Sequence, residues 1–320
     1  MKKLLTKLLL LTLPMSAMAW EPTKPIEALI AWTPGSVNEL TFRITSEAVS
    51  QATGARFVVT NRGGAGGVVG TEELAKRAPD GYSVTVVSVP GIAAMDKIQV
   101  PTKTYTTDSF VYPMHIASSP FVVISHPKDP ANSPAKFVKT LKTEPVSIAA
   151  SGGARLVYEA LSAEVKFPEG KEGVVRVDHK GPVEALNDVA GGHVRFAIIP
   201  SLVANAFYKD GKVNIVALSG PPPMRQLPGV GLLGDAVPGF GISGSWALML
   251  PAGTPADVVE WYTKNFTNAL KAPAVKTVFN DNLLLERADL HTADATKAYI
   301  KTREKQWQPL VDTVLKKMDK

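Results

Sequence analysis

Residues 26–54 read IEALIAWTPGSVNELTFRITSEAVSQATG, and this stretch contains the alternation of elements on which the fold depends. It begins with seven mostly apolar residues, the length of a buried strand, and a turn then leads into a segment with helical spacing of apolar residues. The residues that recur four apart are Leu40, Ile44, Ala48 and Ala52. Gly54 is a typical helix stop, so the stretch predicts a strand, a loop and a helix.

The same alternation recurs along the rest of the chain. Strands are predicted at RFVVTN (56–61), YSVTVVSV (82–89), VSIAAS (146–151), VVRVDH (174–179), VRFAIIP (194–200) and NIVALSG (214–220). Helices are predicted at EELAKRA (72–78), through Leu156, Ala160 and Leu161, at PVEALNDVA (182–190) and at LVANAFY (202–208). Strands that alternate with helices of this length predict parallel sheets covered on both faces, an α/β protein.

Two longer connections divide these elements into two groups. They cover residues 120–137, where a strand runs into a proline-rich stretch, and residues 238–255. We interpret them as crossings between two domains, the first formed by residues 20–123 with 246–320 and the second by residues 124–245. Two domains joined in this way leave a cleft between them, where a small ligand is expected to bind.

The C-terminal part of the chain reads as helical. Helices are predicted around residues 258–270 and from residue 294 onward, and both are expected to pack on the first domain. Pro309 is expected to kink or break the last of them, because proline cannot donate the helical hydrogen bond.

The chain begins with the features of a secretion signal. Three lysines precede or interrupt an apolar run that is too short to span a bilayer, and Ala17-Met18-Ala19 forms a small-x-small cleavage pattern. We therefore expect residues 1–19 to be removed and the mature protein to be periplasmic.

Charge and composition exclude several classes of function. The net charge of +6 falls to +3 without the three lysines of residues 1–19, too little for a nucleic-acid-binding surface. The chain has no cysteine, and its five histidines lie apart without metal-ligand spacing. We expect no disulfide, no thiol chemistry, no metal site and no cofactor.

The glycine-rich run at residues 58–70, VVTNRGGAGGVVG, fails the requirements of a nucleotide-binding loop. Gly64 and Gly66 start a G-x-G-x-x-G pattern, but Val69 occupies the third position and the glycine is displaced to Gly70. No clear acidic residue follows at the distance that a ribose needs, and no lysine followed by Ser or Thr closes the run. We expect a tight turn there and a close approach of the following helix.

Two strand-to-helix loops are suited to bind an anion. In residues 33–39, TPGSVNE, Ser36 and Glu39 have the spacing of a capping box. The remaining backbone amides of that helix N-terminus, together with the helix dipole, attract negative charge. Residues 150–155, ASGGAR, repeat the arrangement. A carboxylate between the two loops can therefore be bound without a charged side chain.

Several motifs occur in the order found in one family. Residues 34–43 follow P-G-G-x-x-D-x-x-A-R, residues 61–70 follow N-R-x-G-A-G-G-x-x-G, and residues 78–82 follow A-x-P-D-G-Y without the spacer. Residues 179–181 stand in place of Y-K-G, and LPAGTP at 250–255 lies where the chain returns to the first domain. Over essentially the whole mature chain, the sequence resembles the Bug family, periplasmic substrate-binding proteins of tripartite tricarboxylate transporters.

The resemblance implies a type II periplasmic-binding fold, in which two α/β domains close on a di- or tricarboxylate or an aromatic acid. It also implies delivery of that carboxylate to the membrane permease subunits of the transporter, and we expect the receptor to be a monomer. Ser88 and Ser201 join the candidate site because each follows the end of a strand at the cleft. The candidate ligand-binding residues are Thr33, Pro34, Ser36, Val37, Asn38, Glu39, Asn61, Ser88, Ser151, Gly152, Arg155, His179, Lys180, Gly181 and Ser201.

Four of these residues depart from the family pattern or carry two interpretations. Ser36 replaces the second glycine, and Glu39 replaces the usual aspartate, so that Glu39 either completes the cap or contacts the ligand. Arg155 stands where the family often has histidine. A cation is disfavoured in the first turn of a helix, so Arg155 pairs with a second acidic group of the ligand or with an acidic side chain, or is simply exposed. His179 makes either a structural hydrogen bond or a ligand contact.

A secreted serine hydrolase is the alternative from another functional class. Residues 149–153, AASGG, fit the A-x-S-x-G variant of a nucleophile elbow between a strand and a helix, with Ser151 as nucleophile. His179, His193 and His291 lie downstream as candidate bases. Asp178 is next to His179, so the two side chains point to opposite faces of a strand, which argues against a triad.

Overall fold

The computed structural model describes residues 20–318, so the signal-peptide prediction for residues 1–19 lies outside the described residues. Within the described range the strands are β1 Ile26–Ile30, β2 Phe57–Asn61, β3 Ser83–Ser88, β4 Phe110–Val111, β5 His115–Ser125, β6 Val146–Ala149, β7 Val174–Val177, β8 Phe196–Pro200, β9 Asn214–Leu218 and β10 Ser243–Pro251. The helices are α1 Val37–Thr53, α2 Val68–Ala75, α3 Asp96–Gln99, α4 Pro134–Thr143, α5 Gly153–Val165, α6 Pro182–Ala190, α7 Ser201–Lys209, α8 Ala256–Leu270, α9 Pro273–Asp281 and α10 Ala293–Met318. The predicted alternation of strands and helices is confirmed.

Helix α1 shows how local sequence sets the ends of an element. Ser36 caps its N-terminus, and Gly54 ends it in the left-handed region with a φ of 77°. The side that is buried carries Phe42 and Val49 together with two threonines whose hydroxyls donate to carbonyls of the preceding turn. The predicted stripe is therefore not the buried side: Leu40, Ile44 and Ala48 are only partly buried, and Ala52 is exposed. The pattern of apolar residues missed the threonines, which can be buried because their hydroxyls are hydrogen-bonded.

The sheet is mixed, which corrects the prediction of parallel sheets. The strand order is β2-β1-β3-β10-β5-β8-β6-β7, with β4 beside β10 and β9 beside β5. β1 is parallel to β2 and β3, and β6 is parallel to β7 and β8, as predicted. β10 runs antiparallel to β3 and β5, and β5 runs antiparallel to β8 and β9. The reason is that β5 carries the chain out of one half of the molecule and β10 brings it back beside β5.

The two halves of this sheet form two lobes. The first lobe contains β1 to β4 and β10 with α1 to α3 and α8 to α10, and the second contains β6 to β9 with α4 to α7. β5 belongs to both, because residues 115–120 pair with β10 and residues 121–125 pair with β8 and β9. The change of partner falls between residues 120 and 121.

Each lobe buries apolar side chains on both faces of its part of the sheet. In β1, Ile26 and Ile30 contribute to a cluster under α1, α8 and α9, whereas Leu29 contributes to one on the opposite face under α10. In β5, Phe121 and Val122 divide in the same way between clusters under α4 and α5 and under α6 and α7. Alternate residues of a strand point to opposite faces, so these strands are covered on both sides.

Helix α10 continues through Pro309, so the proline does not end it. Trp307 and Val311, which flank the proline, are buried against the first lobe together with Ile300 and Val314. This packing holds the helix on both sides of the missing hydrogen bond. Among residues 20–318, no helix combines the length and the apolar character that crossing a membrane requires.

Candidate functional site

The carboxyl ends of strands from both lobes meet at a cavity between the lobes, which we call the inner cavity. Its walls come from the segments that follow β1, β6 and β7 and from the carboxyl-terminal residues of β3 and β8, and β5 and β10 each contribute one aromatic residue. Its lining residues are Trp32, Ser36, Val37, Asn38, Ser88, Phe121, Ser151, Gly153, Ala154, Pro182, Ala185, Ile198, Ile199, Pro200 and Trp246. Its volume is about 480 Å³, mouth included.

No ionisable side chain lines the inner cavity, but two helices begin at it. α1 of the first lobe starts at Val37, and α5 of the second lobe starts at Gly153. The backbone N–H groups of Val37, Asn38 and Gly153 have no acceptor among the residues that the structure describes. Unpaired amides and the positive ends of two helix dipoles favour an anion at this position.

Glu39 supports the loop between β1 and α1 and lines neither this cavity nor the one described below. Its carboxylate accepts hydrogen bonds from the Gly35 N–H at 3.0 Å, from Arg43 Nε at 2.7 Å and from Asn61 Nδ2 at 3.2 Å. Burial opposes ionisation, but the bonds from Arg43, Gly35 and Asn61 outweigh it and lower the pKa of Glu39. The Ser36 N–H bonds instead to the Thr33 carbonyl, so Glu39 holds the loop through Gly35 and does not complete the predicted capping box.

A second, larger space lies outside the first, and we call it the outer cavity. It is lined by Thr33, Pro34, Asn61, Gly63, Gly64, Ala65, Gly66, Ile98, Gln99, Ser151, Gly152, Arg155, Asp178, His179, Lys180 and Met318. Its volume is about 1500 Å³, mouth included, and Ser151 is the one residue that lines both cavities. The glycine-rich run of residues 58–70 lines part of this space, and it forms the tight turn that its sequence predicts.

Three glycines of the second lobe bring the two lobes into direct contact around these cavities. The Trp32 ring lies against the Cα atom of Gly152, where a Cβ would overlap it, and Thr33 lies in the same way against Gly181. A Cβ on Gly153 would come within 2.7 Å of Ser88 Oγ. Contacts this close across the cleft define a closed arrangement of the lobes.

Arg155 and His179 each have one acidic partner near the outer cavity. Arg155 Nε donates to Glu159 Oε1 at 2.8 Å, and the two side chains are 12% and 9% exposed. His179 Nε2 lies 2.7 Å from Asp188 Oδ2. Both pairs lie within the second lobe. Of the three interpretations of Arg155, the structure shows the pairing with an acidic side chain, and that side chain is Glu159.

The structure does not bring every predicted residue to a cavity. Ser201 is buried, and its hydroxyl donates to the Asn282 carbonyl of the first lobe at 3.0 Å, which takes it away from the cleft. Gly181 lines neither cavity and contacts Thr33 instead. Lys180 lines the outer cavity and is exposed.

Sequence reasoning missed the aromatic walls of the inner cavity. Trp32 directly precedes the loop that the sequence identifies, and Phe121 and Trp246 lie in the two predicted crossings. Their positions near the cleft could be predicted from the sequence. Their role as cavity walls could not, because it depends on closure of one lobe on the other. Gln99 of the outer cavity had no sequence signal, because it follows a π-helical turn at residues 91–95 that no periodicity indicates.

The hydrolase alternative finds no catalytic constellation at Ser151. Among residues 20–318, no histidine makes a hydrogen bond with Ser151. The histidine that does contact serines is His115, whose Nε2 lies 2.8 Å from Ser245 Oγ and 3.1 Å from Ser118 Oγ. His115 is fully buried, so a substrate cannot reach it. Burial also lowers its pKa to about 3. No group of residues that could hold a metal ion occurs in the described range either.

The two lobes, the crossing strands and the cavity between helix N-termini define a periplasmic-binding-protein-like receptor. Residues 41–315 match the family model of the tripartite tricarboxylate transporter family receptor, so the chain belongs to that family. It is 25% identical to Protein BugT of Bordetella pertussis over 300 residues, 93% of this chain and 91% of that protein.

Solved structures show the same fold. The periplasmic binding protein BugD superposes with a TM-score of 0.82 at 22% identity, covering 92% of this chain and 98% of that one. MatC of Rhodopseudomonas palustris, solved with bound malate, gives a TM-score of 0.81 at 19% identity, covering 91% and 100%. The resemblance to the Bug family is thereby confirmed, as is the predicted two-domain fold.

Proposed function

We propose that this receptor captures a small organic carboxylate in the periplasm and delivers it to the membrane permease of a tripartite tricarboxylate transporter. The observation that carries the proposal is the meeting of two helix N-termini, one from each lobe, at an inner cavity without ionisable side chains. An anion there is stabilised by backbone amides of both lobes, so it favours the closed arrangement. The malate in MatC supports a carboxylate as the ligand.

The proposal includes a location and an oligomeric state. The pattern of residues 1–19 supports export to the periplasm. We also propose that the receptor is a monomer, because the two lobes of a single chain suffice to enclose the cavity. Membership of a transporter receptor family supports delivery to the permease.

A thermal-unfolding panel tests the proposal most directly. The mature chain is stripped of ligand by unfolding and refolding, and its midpoint is measured with mono-, di- and tricarboxylates and aromatic acids. A ligand at about a thousand times its Kd adds roughly 4 kcal/mol of stability, enough to raise the midpoint by several degrees. A folded protein that shows no shift with any acid would contradict the proposal. Uptake of the active acid by cells with and without the gene then tests delivery.

A further inference from the structure

The turn that follows α9, residues 281–285, contains a leucine in a backbone conformation that favours glycine. Leu283 has a φ of 58°, in the left-handed region. The Leu284 N–H donates to the Phe279 carbonyl at 2.9 Å, and the Leu283 N–H lies 3.5 Å from the Asn280 carbonyl. These two bonds close a Schellman motif, in which glycine usually occupies the left-handed position. A leucine there is strained, so the packing of its side chain has to offset that cost.

The side chain of Leu283 packs on the second lobe, although α9 belongs to the first. Leu283 lies against the apolar cluster under α6 and α7. The next residue, Leu284, is buried in the first-lobe cluster under α1, α8 and α9. In the reverse direction, Leu202 and Val203 of α7 pack against that first-lobe cluster. The turn after α9 and the start of α7 thus form an apolar contact between the lobes.

Hydrogen bonds hold the same turn on both sides. Ser201 Oγ on α7 donates to the Asn282 carbonyl at 3.0 Å, and Asn205 Nδ2 donates to Asn282 Oδ1 at 2.8 Å. In the other direction, Leu285 exchanges two backbone hydrogen bonds with Ser118 of the crossing strand β5, at 2.7 and 2.8 Å. The turn therefore joins a helix of the second lobe to the strand that carries the chain between the lobes.

The strained leucine has a reason only while the lobes are in contact. The contact of Trp32 with Gly152 across the cleft shows that this is the closed arrangement. Opening the cleft moves α7 with the second lobe and α9 with the first, which separates Leu283 from the surface that buries it. The strain of its backbone would then remain without the compensating contact.

We infer that the turn after α9 is a latch, in which Leu283 stabilises the closed arrangement by a contact that opening breaks. The latch rests on the proposed function, because binding of a carboxylate is what closes the cleft. A residue that relieves the strain and removes the apolar contact should therefore weaken binding without destabilising the ligand-free protein. A leucine needed only for the stability of the fold predicts the opposite.

Leu283→Gly and Leu283→Asn separate these two roles. Glycine and asparagine adopt a positive φ more readily than leucine, and neither replaces the apolar contact. Lys166→Gly is the matched control, because Lys166 also ends a helix in the left-handed region, with a φ of 54°, and is exposed. Thermal unfolding of the ligand-free mature chain should give midpoints at or above that of the wild-type protein in all three variants.

Binding rates are measured by stopped-flow tryptophan fluorescence. The probes are malate and each acid that raises the wild-type midpoint in the thermal-unfolding panel. A contact that forms only after the ligand has entered slows dissociation and leaves association unchanged. Both Leu283 variants should therefore dissociate about fivefold faster, since they lose a partly buried apolar side chain, and should associate at the wild-type rate. Lys166→Gly should change neither rate.

Each other outcome contradicts a separate statement. A lower ligand-free midpoint in both Leu283 variants, with that of Lys166→Gly unchanged, would show that the contact exists without ligand and is not a latch. Wild-type dissociation rates in both variants would show that Leu283 does not stabilise the closed arrangement. If the folded wild-type protein binds none of the acids, the proposed function fails, whereas the ligand-free midpoints still decide whether the contact depends on closure.

Discussion

The ring of Trp32 in the first lobe packs on the Cα atom of Gly152 in the second, at a distance that leaves no room for a Cβ. The same ring also lies close to Gly67, where a Cβ would come within 2.9 Å of the indole nitrogen. Trp32 is thus enclosed by one glycine from each lobe. The closed cleft therefore includes a direct contact between the lobes at this ring.

Gly152→Ala should prevent full closure. The added methyl group overlaps the Trp32 ring, and Gly152 has a φ of 54°, which other residues adopt only with strain. We expect carboxylate affinity to fall by at least tenfold and the ligand-bound radius of gyration in X-ray scattering to stay that of an open form. Gly192→Ala is the matched control, because Gly192 also has a positive φ but nothing lies near its Cβ position. Equal losses of affinity in both variants would mean that backbone strain, not the contact with Trp32, is responsible.

Asn205→Ala should shift the balance toward the open form. Asn205 Nδ2 on α7 donates to the Asp281 carbonyl at 2.9 Å and to Asn282 Oδ1 at 2.8 Å, so it joins the second lobe to the first. Each hydrogen bond contributes about 1 kcal/mol, so loss of the two bonds predicts a loss of ligand affinity of about thirtyfold. Asn265→Ala is the control, because its amide bonds within α8 alone. The same loss of affinity in both variants would show that the bond between the lobes has no role in closure.

Ser151→Ala should weaken every carboxylate ligand, because Ser151 lines both cavities. Loss of one hydrogen bond to a charged group predicts a loss of affinity of roughly tenfold, with little change in the unfolding midpoint of the free protein. Ser50→Ala on α1, outside both cavities, is the comparison. An unchanged affinity in Ser151→Ala would place the ligand away from the junction of the cavities.

Asp96→Asn should stabilise the protein near neutral pH. Burial raises the pKa of Asp96 from 3.8 to about 6, although the Tyr105 hydroxyl bonds to its carboxylate and Lys103 is nearby. The folded form therefore holds a proton that the unfolded form has already released between pH 4 and 6. Over that interval the free energy of unfolding falls as pH rises, by on the order of 3 kcal/mol, and above it the penalty stays constant.

Urea unfolding from pH 4 to pH 8 measures this slope. Asp96→Asn should remove most of it, whereas the exposed Asp312→Asn should leave it unchanged. A wild-type stability that does not fall between pH 4 and 6 would show that Asp96 is not destabilised by burial in the folded protein.

The features of the site that could be predicted from the sequence are those set by residues close together in the chain. The capping residue Ser36, the glycine stop Gly54 and the two helix N-termini follow from short-range chemistry. The partner of Arg155 was also available, because Glu159 lies one helical turn later. These features need no knowledge of distant parts of the chain.

Contacts between distant segments could not be predicted in the same way. Ser201 follows a strand end at the cleft, yet its hydroxyl turns to Asn282, 81 residues further along the chain. The division of the cleft into two cavities depends on the contact of Trp32 with Gly152 across the lobes. Hydrophobic periodicity contains no information on how closely two lobes approach.

The sharing of one sheet by both lobes has a mechanical consequence. The crossing strands β5 and β10 are hydrogen-bonded to each other from Ser243 and Pro120 to Ala247 and His115, so neither can swivel as an independent tether. Opening must bend both strands together near residues 120 and 243, which limits the lobes to one direction of travel. The pair of strands acts as an elastic element between the lobes, and its stiffness sets how far the receptor opens at rest.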